Sequence, residues 1–330
     1  MKKKLIIFSI VIVTIISMVY LLVLRESVPS DQDLMEGYQK LMDGVVELNE
    51  YKLVSQYGSE LKLNKPMGIT IFKNNLIVSD FGNDRILIID ENGKVKNEIG
   101  KTGSREVEFV SPVDVAVDDE RNIYVADSGN HRVQVIGENG NFIKEHYIKE
   151  LSGEPLMNCI EVDKQKNIFV STSTLERKLS YVYVVSDEGK IKKIGNRLNG
   201  ILAEWKNKIY FTTTHEIYKT SIVKEFFNQN SAGSGKSYLI EMDSNKILKK
   251  YDLPYAYTTK GICCYEDNIY IWSGTRKSVD KYDLNGEYVG TVFKGDKSYL
   301  GVHGMTIDNN GRIYLCDSEK SCIYKLEKGD

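Results

Sequence analysis

The chain of 330 residues repeats one segment along its length. The clearest copies are IVSDFGNDRILI at residues 77–88 and YVADSGNHRVQV at residues 124–135. Each copy is an apolar run that ends in Asp, then a turn with Gly-Asn, then an Arg that opens a second apolar run. Weaker copies give six units, spaced by 42 to 46 residues except for a gap of 61, that start at Gly68, Asp114, Asn158, Gly200, Gly261 and Gly304. A period of this length indicates a repeat architecture in which no unit buries its core alone.

Each unit is typical of four short strands. Apolar and β-branched residues alternate with polar ones, and Asn-Gly, Glu-Gly and Asp-Asn turns separate the runs. Six such sheets around one axis form an all-β, six-bladed propeller of four-stranded blades. The sixth unit ends after Leu326 without a fourth strand, and an unpaired strand, YKLVSQYG, stands before the first unit. We therefore predict a propeller over residues 51–330 that strand 51–58 closes as the outer strand of blade six, covering its edge.

The second unit, with Pro112 before its first strand and the motif IYVADSGNHRVQV, resembles the NHL repeat of six-bladed propellers. The first unit matches as closely, and the later units match more loosely. The resemblance implies the architecture and no substrate, because one fold hosts many functions. Some NHL-type lyases, such as the peptidyl-hydroxyglycine amidating lyase, build a metal site from several axial histidines. Only His303 would be axial in this chain, so we expect no metal and no other cofactor.

The repeated Asp and Arg of the turn have a structural interpretation. A carboxylate at Asp127 can accept turn amides and pair with Arg132 in a charge-assisted contact. Asp80 and Arg85 repeat the arrangement in the first unit. Because a ligand site would not need to recur in this way, we predict a clamp that holds the turn.

The N-terminus predicts a membrane anchor. Three lysines precede an uncharged stretch from Leu5 to Leu24, about the ~20 residues that a helix needs to span a bilayer. We predict a signal-anchor over residues 1–25, with the N-terminus cytoplasmic and the propeller extracytoplasmic. Cleavage after SVPS at residues 27–30 is the open alternative. Over residues 26–50 we predict a juxtamembrane stalk helix, because apolar residues recur there at helical spacing, at Leu34, Tyr38, Leu41, Met42 and Val45.

The charge balance excludes a nucleic-acid partner. The chain has 44 basic and 46 acidic side chains. Without the four basic residues of the anchor, Lys2, Lys3, Lys4 and Arg25, 40 basic side chains stand against 46 acidic ones. A propeller with this acidic excess lacks the basic surface that nucleic acid requires.

Two of the five cysteines flank the turn of the sixth unit. Cys316 and Cys322 align with Ala126 and Arg132 of the second unit. Cross-strand residues beside such a turn can come within disulfide range, and an extracytoplasmic site permits the bond. The sequence leaves two alternatives open: a disulfide that replaces the lost Asp–Arg pair, or two free thiols.

The candidate binding residues lie at one end of the predicted ring. Connections from strand two to strand three, and from blade to blade, emerge there, and the start of each inner strand lies near the axis. The candidates are Asn199, Lys260, His303, Asp114, Asn158 and His215, the last of which opens a long insertion at about residues 215–237. A tolerated surface insertion, and polar side chains that face channel water, are the alternatives. Within the insertion, AGSGKS departs from the phosphate-binding pattern at Asn230.

Two classes of function are consistent with these residues. The first is a binding module, tethered to the membrane, for a protein, peptide or glycan, and Lys260 would favour an acidic ligand group. The alternative is a propeller lyase or lactone hydrolase, in which His303 acts as the base and Lys260 stabilises an anion. No metal set or activated nucleophile is evident in the sequence, so we expect binding rather than catalysis.

Overall fold

The computed structural model describes residues 45–148, 156–173, 180–195, 200–214, 237–253, 259–274, 276–299 and 301–329. They belong to one compact unit, Val45–Glu216 with Gly235–Asp330. The predicted anchor, most of the predicted stalk helix, Asn199 and His215 lie outside the described residues. Among the described residues, no helix has the length and apolar character needed to cross a membrane.

Six antiparallel sheets of four strands form the blades. Blade 1 contains β2 (Pro66–Phe72), β3 (Asn75–Asp80), β4 (Arg85–Asp90) and β5 (Val95–Ile99). Blade 2 contains β6 (Pro112–Val117), β7 (Asn122–Asp127), β8 (Arg132–Gly137) and β9 (Phe142–Tyr147). Blade 3 contains β10 (Leu156–Val162), β11 (Ile168–Ser173), β12 (Val182–Val185) and β13 (Ile191–Ile194).

The other three blades follow the same order from the inner to the outer strand. Blade 4 contains β14 (Gly200–Trp205), β15 (Lys208–Thr214), β16 (Ser237–Met242) and β17 (Ile247–Asp252). Blade 5 contains β18 (Thr259–Tyr265), β19 (Asn268–Ser273), β20 (Ser278–Asp283) and β21 (Tyr288–Lys294). Blade 6 contains β22 (Val302–Ile307), β23 (Ile313–Asp317), β24 (Cys322–Lys328) and, from the start of the ring, β1 (Tyr51–Tyr57). Short 3-10 helices lie at Ser59–Leu61, Phe81–Asn83, Ser128–Asn130 and Lys297–Tyr299.

The ring closes through β1, as the sequence predicts. This strand pairs antiparallel with β24, with Tyr51 opposite Lys328 and Tyr57 opposite Ile323. The segment before it differs from the prediction, because residues 45–50 are not helical. Glu47 forms a parallel bridge with Thr291 of β21, so the backbone there is held extended by hydrogen bonds to blade 5.

The hydrophobic core lies between neighbouring blades. Trp272 of blade 5 packs in one cluster with Leu315 of blade 6, and Phe169 of blade 3 packs in another with Phe211 of blade 4. These strands are therefore buried on faces that a single blade would leave exposed. The inner strands approach closely: a Cβ added at Gly68 would lie 2.2 Å from the Asp114 Oδ1 atom of the next blade. Glycine at this position lets the two backbones meet.

The cysteines of blade 6 do not form the disulfide. Cys316 lies opposite Ile323 in the β23–β24 ladder, whereas Cys322 lies opposite Asp317. Successive residues point to opposite faces of a sheet, so the two thiols lie on different sides of the blade. Cys316 packs in the cluster towards blade 1, and Cys322 packs in the cluster towards blade 5. Of the two alternatives that the sequence leaves open, the structure has the free thiols, and both are buried.

The Asp–Arg turn is a clamp, as interpreted from the sequence. The Asp127 carboxylate accepts the Val110 amide at 2.7 Å and Arg132 Nε at 2.8 Å. The Arg132 guanidinium also donates to three carbonyls of the connection from blade 1, those of Ser104, Arg105 and Glu108, each at 2.9 Å. The clamp therefore fastens the turn of blade 2 to the chain that enters this blade. Asp80 and Arg85 make the equivalent contact at 2.7 Å in blade 1.

The turn conformation persists in two blades whose sequences have lost the motif. The fourth residue after the end of strand two has a left-handed backbone in four blades, with φ of 52° at Asp84, 54° at His131, 56° at Lys277 and 52° at Ser321. Blade 5 reverses the ion pair: Arg276 comes from the turn, and its Nη1 atom lies 2.9 Å from Asp280 Oδ2 of β20. Both side chains are buried, at 1% and 0% exposure. Blade 5 therefore keeps a clamp in which the turn supplies the Arg and the next strand supplies the Asp.

Candidate functional site

A ring of bulges surrounds one end of the axis. The ladder register shifts near the start of β2, β6, β10, β18 and β22. A bulge takes a residue out of the ladder and redirects its side chain, and bulges are common beside binding sites. We call the bulge residues the mouth ring: Met67, Val113, Asn158, Lys260 and His303. They lie at the end of the ring from which the blade-to-blade connections emerge, together with the turn between the second and third strands of each blade, such as β3–β4 in blade 1. We call this end the mouth face.

The mouth ring contains three of the predicted candidates. Asn158 and His303 are half-buried at their bulges, and of Lys260 only the backbone is described. Asp114 is placed differently from the prediction. It pairs opposite Ala126 in the ladder, and its Oδ2 atom accepts the Ile160 amide at 3.0 Å. Its carboxyl is therefore turned towards blade 3, below the ring.

His303 is held by its own blade. Its Nδ1 atom lies 2.8 Å from the Gly301 carbonyl oxygen and 2.8 Å from Ser318 Oγ. A carbonyl oxygen only accepts, so the contact with Gly301 is a hydrogen bond when His303 carries its proton on Nδ1. With Nδ1 protonated, His303 cannot take a proton from Ser318 through that atom. Ser318 was not among the residues predicted from the sequence, although its position directly after Asp317, in the turn of blade 6, places it on the mouth face.

Three carboxyls line the inner strands below the mouth ring. Burial raises the pKa of the Asp114 carboxyl from 3.8 to about 6. Burial raises the pKa of the Glu161 carboxyl well above its usual range, and the charges of Asp114 and Glu204 add to the rise. The pKa of the Glu204 carboxyl is also raised by burial. These three carboxyls, which we call the acidic wall, therefore hold their protons at higher pH than free carboxyls do.

The acidic wall was not predicted from the sequence. Glu161 lies on β10 and faces blade 4, while Glu204 lies on β14 and faces blade 3, so the pair forms only when the ring assembles. The available signal was a Glu inside each apolar inner strand, in NCIEVD and GILAEW. Among the residues that the structure describes, no group of three or more His, Cys, Asp or Glu side chains is arranged to hold a metal ion.

The raised pKa of Asp114 predicts a pH-dependent gain in stability for Asp114→Asn. The native state binds this proton more tightly than the unfolded chain between about pH 3.8 and about pH 6. The free energy of unfolding therefore falls as pH rises through that window. Above the window, the full cost of ionising the buried Asp114 carboxyl is present. An amide keeps an acceptor for Ile160 and carries no charge. We expect Asp114→Asn to stabilise the protein by about 1–3 kcal/mol at pH 7.5 and to have no effect at pH 3.5.

Urea unfolding at the two pH values measures this difference. Asp119→Asn, at an exposed position of the same blade, is the matched control and should show no such pH dependence. An equal gain for Asp114→Asn at both pH values would show that packing, and not ionisation, sets the effect.

Solved structures of other proteins share this fold. Virginiamycin B lyase from Staphylococcus aureus aligns over 84% of this chain and 99% of its own, with 13% identity and a TM-score of 0.55. A gluconolactonase from Xanthomonas campestris aligns over 81% of this chain and 87% of its own, with 14% identity and a TM-score of 0.57. A luciferin-regenerating enzyme aligns over 84% of this chain and 97% of its own, with 10% identity and a TM-score of 0.60. At these identities the likeness concerns the fold alone.

Sequence comparison supports the same architecture. No curated protein matches the chain significantly by sequence. A family model, DUF5128, described as a 6-bladed beta-propeller, matches residues 57–232, which is more than half of the chain. The chain therefore belongs to this family of six-bladed propellers.

Proposed function

We propose that the chain is a membrane-anchored recognition module whose propeller lies outside the cytoplasm and binds a protein, peptide or glycan across the mouth face. The asymmetry of the mouth ring carries this proposal. Blades 1 and 2 contribute Met67 and Val113, whereas blades 3, 5 and 6 contribute Asn158, Lys260 and His303. An apolar surface with a few converging polar groups is typical of a binding site.

The connections of the mouth face support the same function. The longest connection between two strands joins β15 to β16 and leaves blade 4 at this face, beside the polar side of the mouth ring. The clamps of blades 1 and 2 hold the opposite side. Long loops on a rigid scaffold commonly carry binding residues. From the clamps we also propose that blades 1 and 2 are NHL-type repeats.

The acidic wall restricts where a ligand charge can bind. Asp114, Glu161 and Glu204 lie below the mouth ring, and any charge they carry is negative. An anionic group would be repelled there, whereas Lys260 and His303 lie at the ring itself. We propose that an acidic group of the ligand binds at the mouth ring and does not enter the channel.

The test is the loss of binding on substitution of the mouth ring. Peptide and glycan arrays would supply the ligand, and the variant replaces both Asn158 and His303 with Ala. Two lost hydrogen bonds at about 0.5–1.5 kcal/mol each weaken binding by roughly tenfold. Asn92→Ala, exposed in the β4–β5 turn on the opposite face, is the control and should bind normally. Undiminished binding by the double variant would refute a site at the mouth ring.

A lyase or lactone hydrolase is the second candidate function. It is favoured by the 2.8 Å contact of His303 with Ser318, and by solved enzymes of the same fold that include a lyase and a gluconolactonase. In the tautomer with the proton on Nδ1, His303 cannot activate Ser318 as a nucleophile. A panel of chromogenic lactones and esters separates the two candidates. Turnover that disappears in Ser318→Ala would establish the enzyme.

A further inference from the structure

Exposed apolar side chains are concentrated where the chain enters the ring. Five of them, which we call the apolar rim, are Val46 (50% exposed), Leu48 (37%), Leu53 (44%), Val54 (49%) and Val289 (40%). They lie on residues 45–50, on β1 and on β21, at the outer edges of the neighbouring blades 5 and 6.

Backbone contacts hold Val46 and Leu48 against β21, and the chain then continues into β1. The Leu48 amide donates to the Thr291 carbonyl at 2.8 Å, and the Thr291 amide donates to the Val46 carbonyl at 2.7 Å. A Cβ added at Gly290 would lie 2.7 Å from the Leu48 side chain, so Leu48 packs against β21. Two residues after Asn49 the chain becomes β1, where a bulge between Leu53 and Ser55 interrupts the pairing with β24.

Each of the other four blades exposes one or two large apolar side chains among its described residues, against five in the apolar rim. Blade 1 has Val95, blade 2 has Ile143 and Tyr147, blade 3 has Leu156, and blade 4 has Ile247 and Leu248. Single exposed apolar residues are ordinary, whereas a contiguous group indicates an interaction surface.

The chain itself indicates what covers the apolar rim. The 44 residues before Val45 contain the uncharged stretch from Leu5 to Leu24, and they join the ring at this surface. Residues 26–44 would span roughly 30 Å as a helix. Because only residues 26–44 separate the predicted anchor from Val45, the apolar rim is the part of the ring that is tethered to it. Lys52 and Lys328, both exposed, adjoin the rim on β1 and β24, although exposed Glu47 lies within it.

We propose that the apolar rim rests on the lipid surface of the membrane to which the N-terminal segment anchors the chain. This inference depends on the membrane anchoring proposed above. A propeller that rests on its rim has its axis along the membrane plane. The mouth face then opens sideways, accessible to ligands at the membrane surface as well as to ligands from solution.

Lipid quenching of a fluorophore at the rim tests the inference on the full chain in vesicles of phosphatidylcholine and phosphatidylglycerol. All five native cysteines are buried, so a thiol-reactive fluorophore will label Leu53→Cys selectively in the folded protein. Ile143→Cys on β9 of blade 2, at 42% exposure, is the matched control. We expect lipids with brominated acyl chains to reduce the fluorescence at position 53 and to leave position 143 unchanged. Val46→Cys should behave as position 53 does.

Vesicle flotation separates the two proposals. A chain that fails to float with the vesicles would refute the anchor, and with it the rim contact. A chain that floats but shows equal quenching at positions 53 and 143 would refute the rim contact alone. Protection of position 53 from aqueous iodide without lipid quenching would show that a protein surface, such as a second copy, covers the rim, and would also refute the inference.

Discussion

A chain that begins at Ser59 is expected to lose the cooperative unfolding transition that a chain beginning at Val45 retains. The shorter chain lacks β1, and with it Tyr51 and Tyr57, which are 4% and 8% exposed. It also uncovers Ile323 and Leu326 of β24, both fully buried in the closed ring. Large buried apolar side chains contribute about 1.5–3 kcal/mol each to stability. The burial energy lost with β1 therefore approaches the whole free energy of unfolding of a typical protein, about 5–15 kcal/mol.

Circular dichroism melts of the two chains measure this effect. A synthetic peptide of residues 51–58 added to the shorter chain is the control, because it can restore the missing strand without a covalent link. Equal melting temperatures for the two chains would mean that β1 does not close the ring, and that blade 6 is stable with three strands.

The closing strand was predictable because its evidence is local. Alternation of apolar and polar residues marks each strand, and a count of strands shows that the last blade lacks one while the N-terminus has one in excess. The clamps of blades 1 and 2 were predictable for the same reason, since Asp127 and Arg132 are five residues apart and directly opposite in the ladder.

The features that the sequence did not reveal depend on strand register, on the order of paired residues, or on contacts between blades. A shift of one residue in a strand moves its side chain to the other face, which separates Cys316 from Cys322 despite their favourable spacing. In blade 5 the Arg precedes the Asp in the sequence, so the pattern of Asp before Arg does not predict the pair of Arg276 and Asp280. Glu161 and Glu204 come from different blades, and no local pattern in a single sequence reports that inner strands 43 residues apart bring them together.

The second large effect is expected at the clamp of blade 2. Arg132→Met keeps the bulk of the side chain but leaves the Asp127 carboxylate, which is 0% exposed, without its ion pair. Removal of one partner from a buried pair costs about 3–5 kcal/mol, because the other charge stays buried. Three carbonyls of the blade 1–2 connection lose their donor as well. Arg85→Met should cost less, since the Arg85 side chain is 13% exposed and water can reach its partner.

Urea unfolding of the chain beginning at Val45 compares these variants, and a double substitution identifies the cause. Asp127→Asn combined with Arg132→Met removes the buried charge, while the Asn oxygen still accepts the Val110 amide. If the unpaired carboxylate is the source of the loss, the double variant will be more stable than Arg132→Met alone. If the double variant is equally unstable, the loss of stability comes from the missing hydrogen bonds between Arg132 and the blade 1–2 connection. The clamp then acts mainly by fastening blade 2 to the chain that enters it.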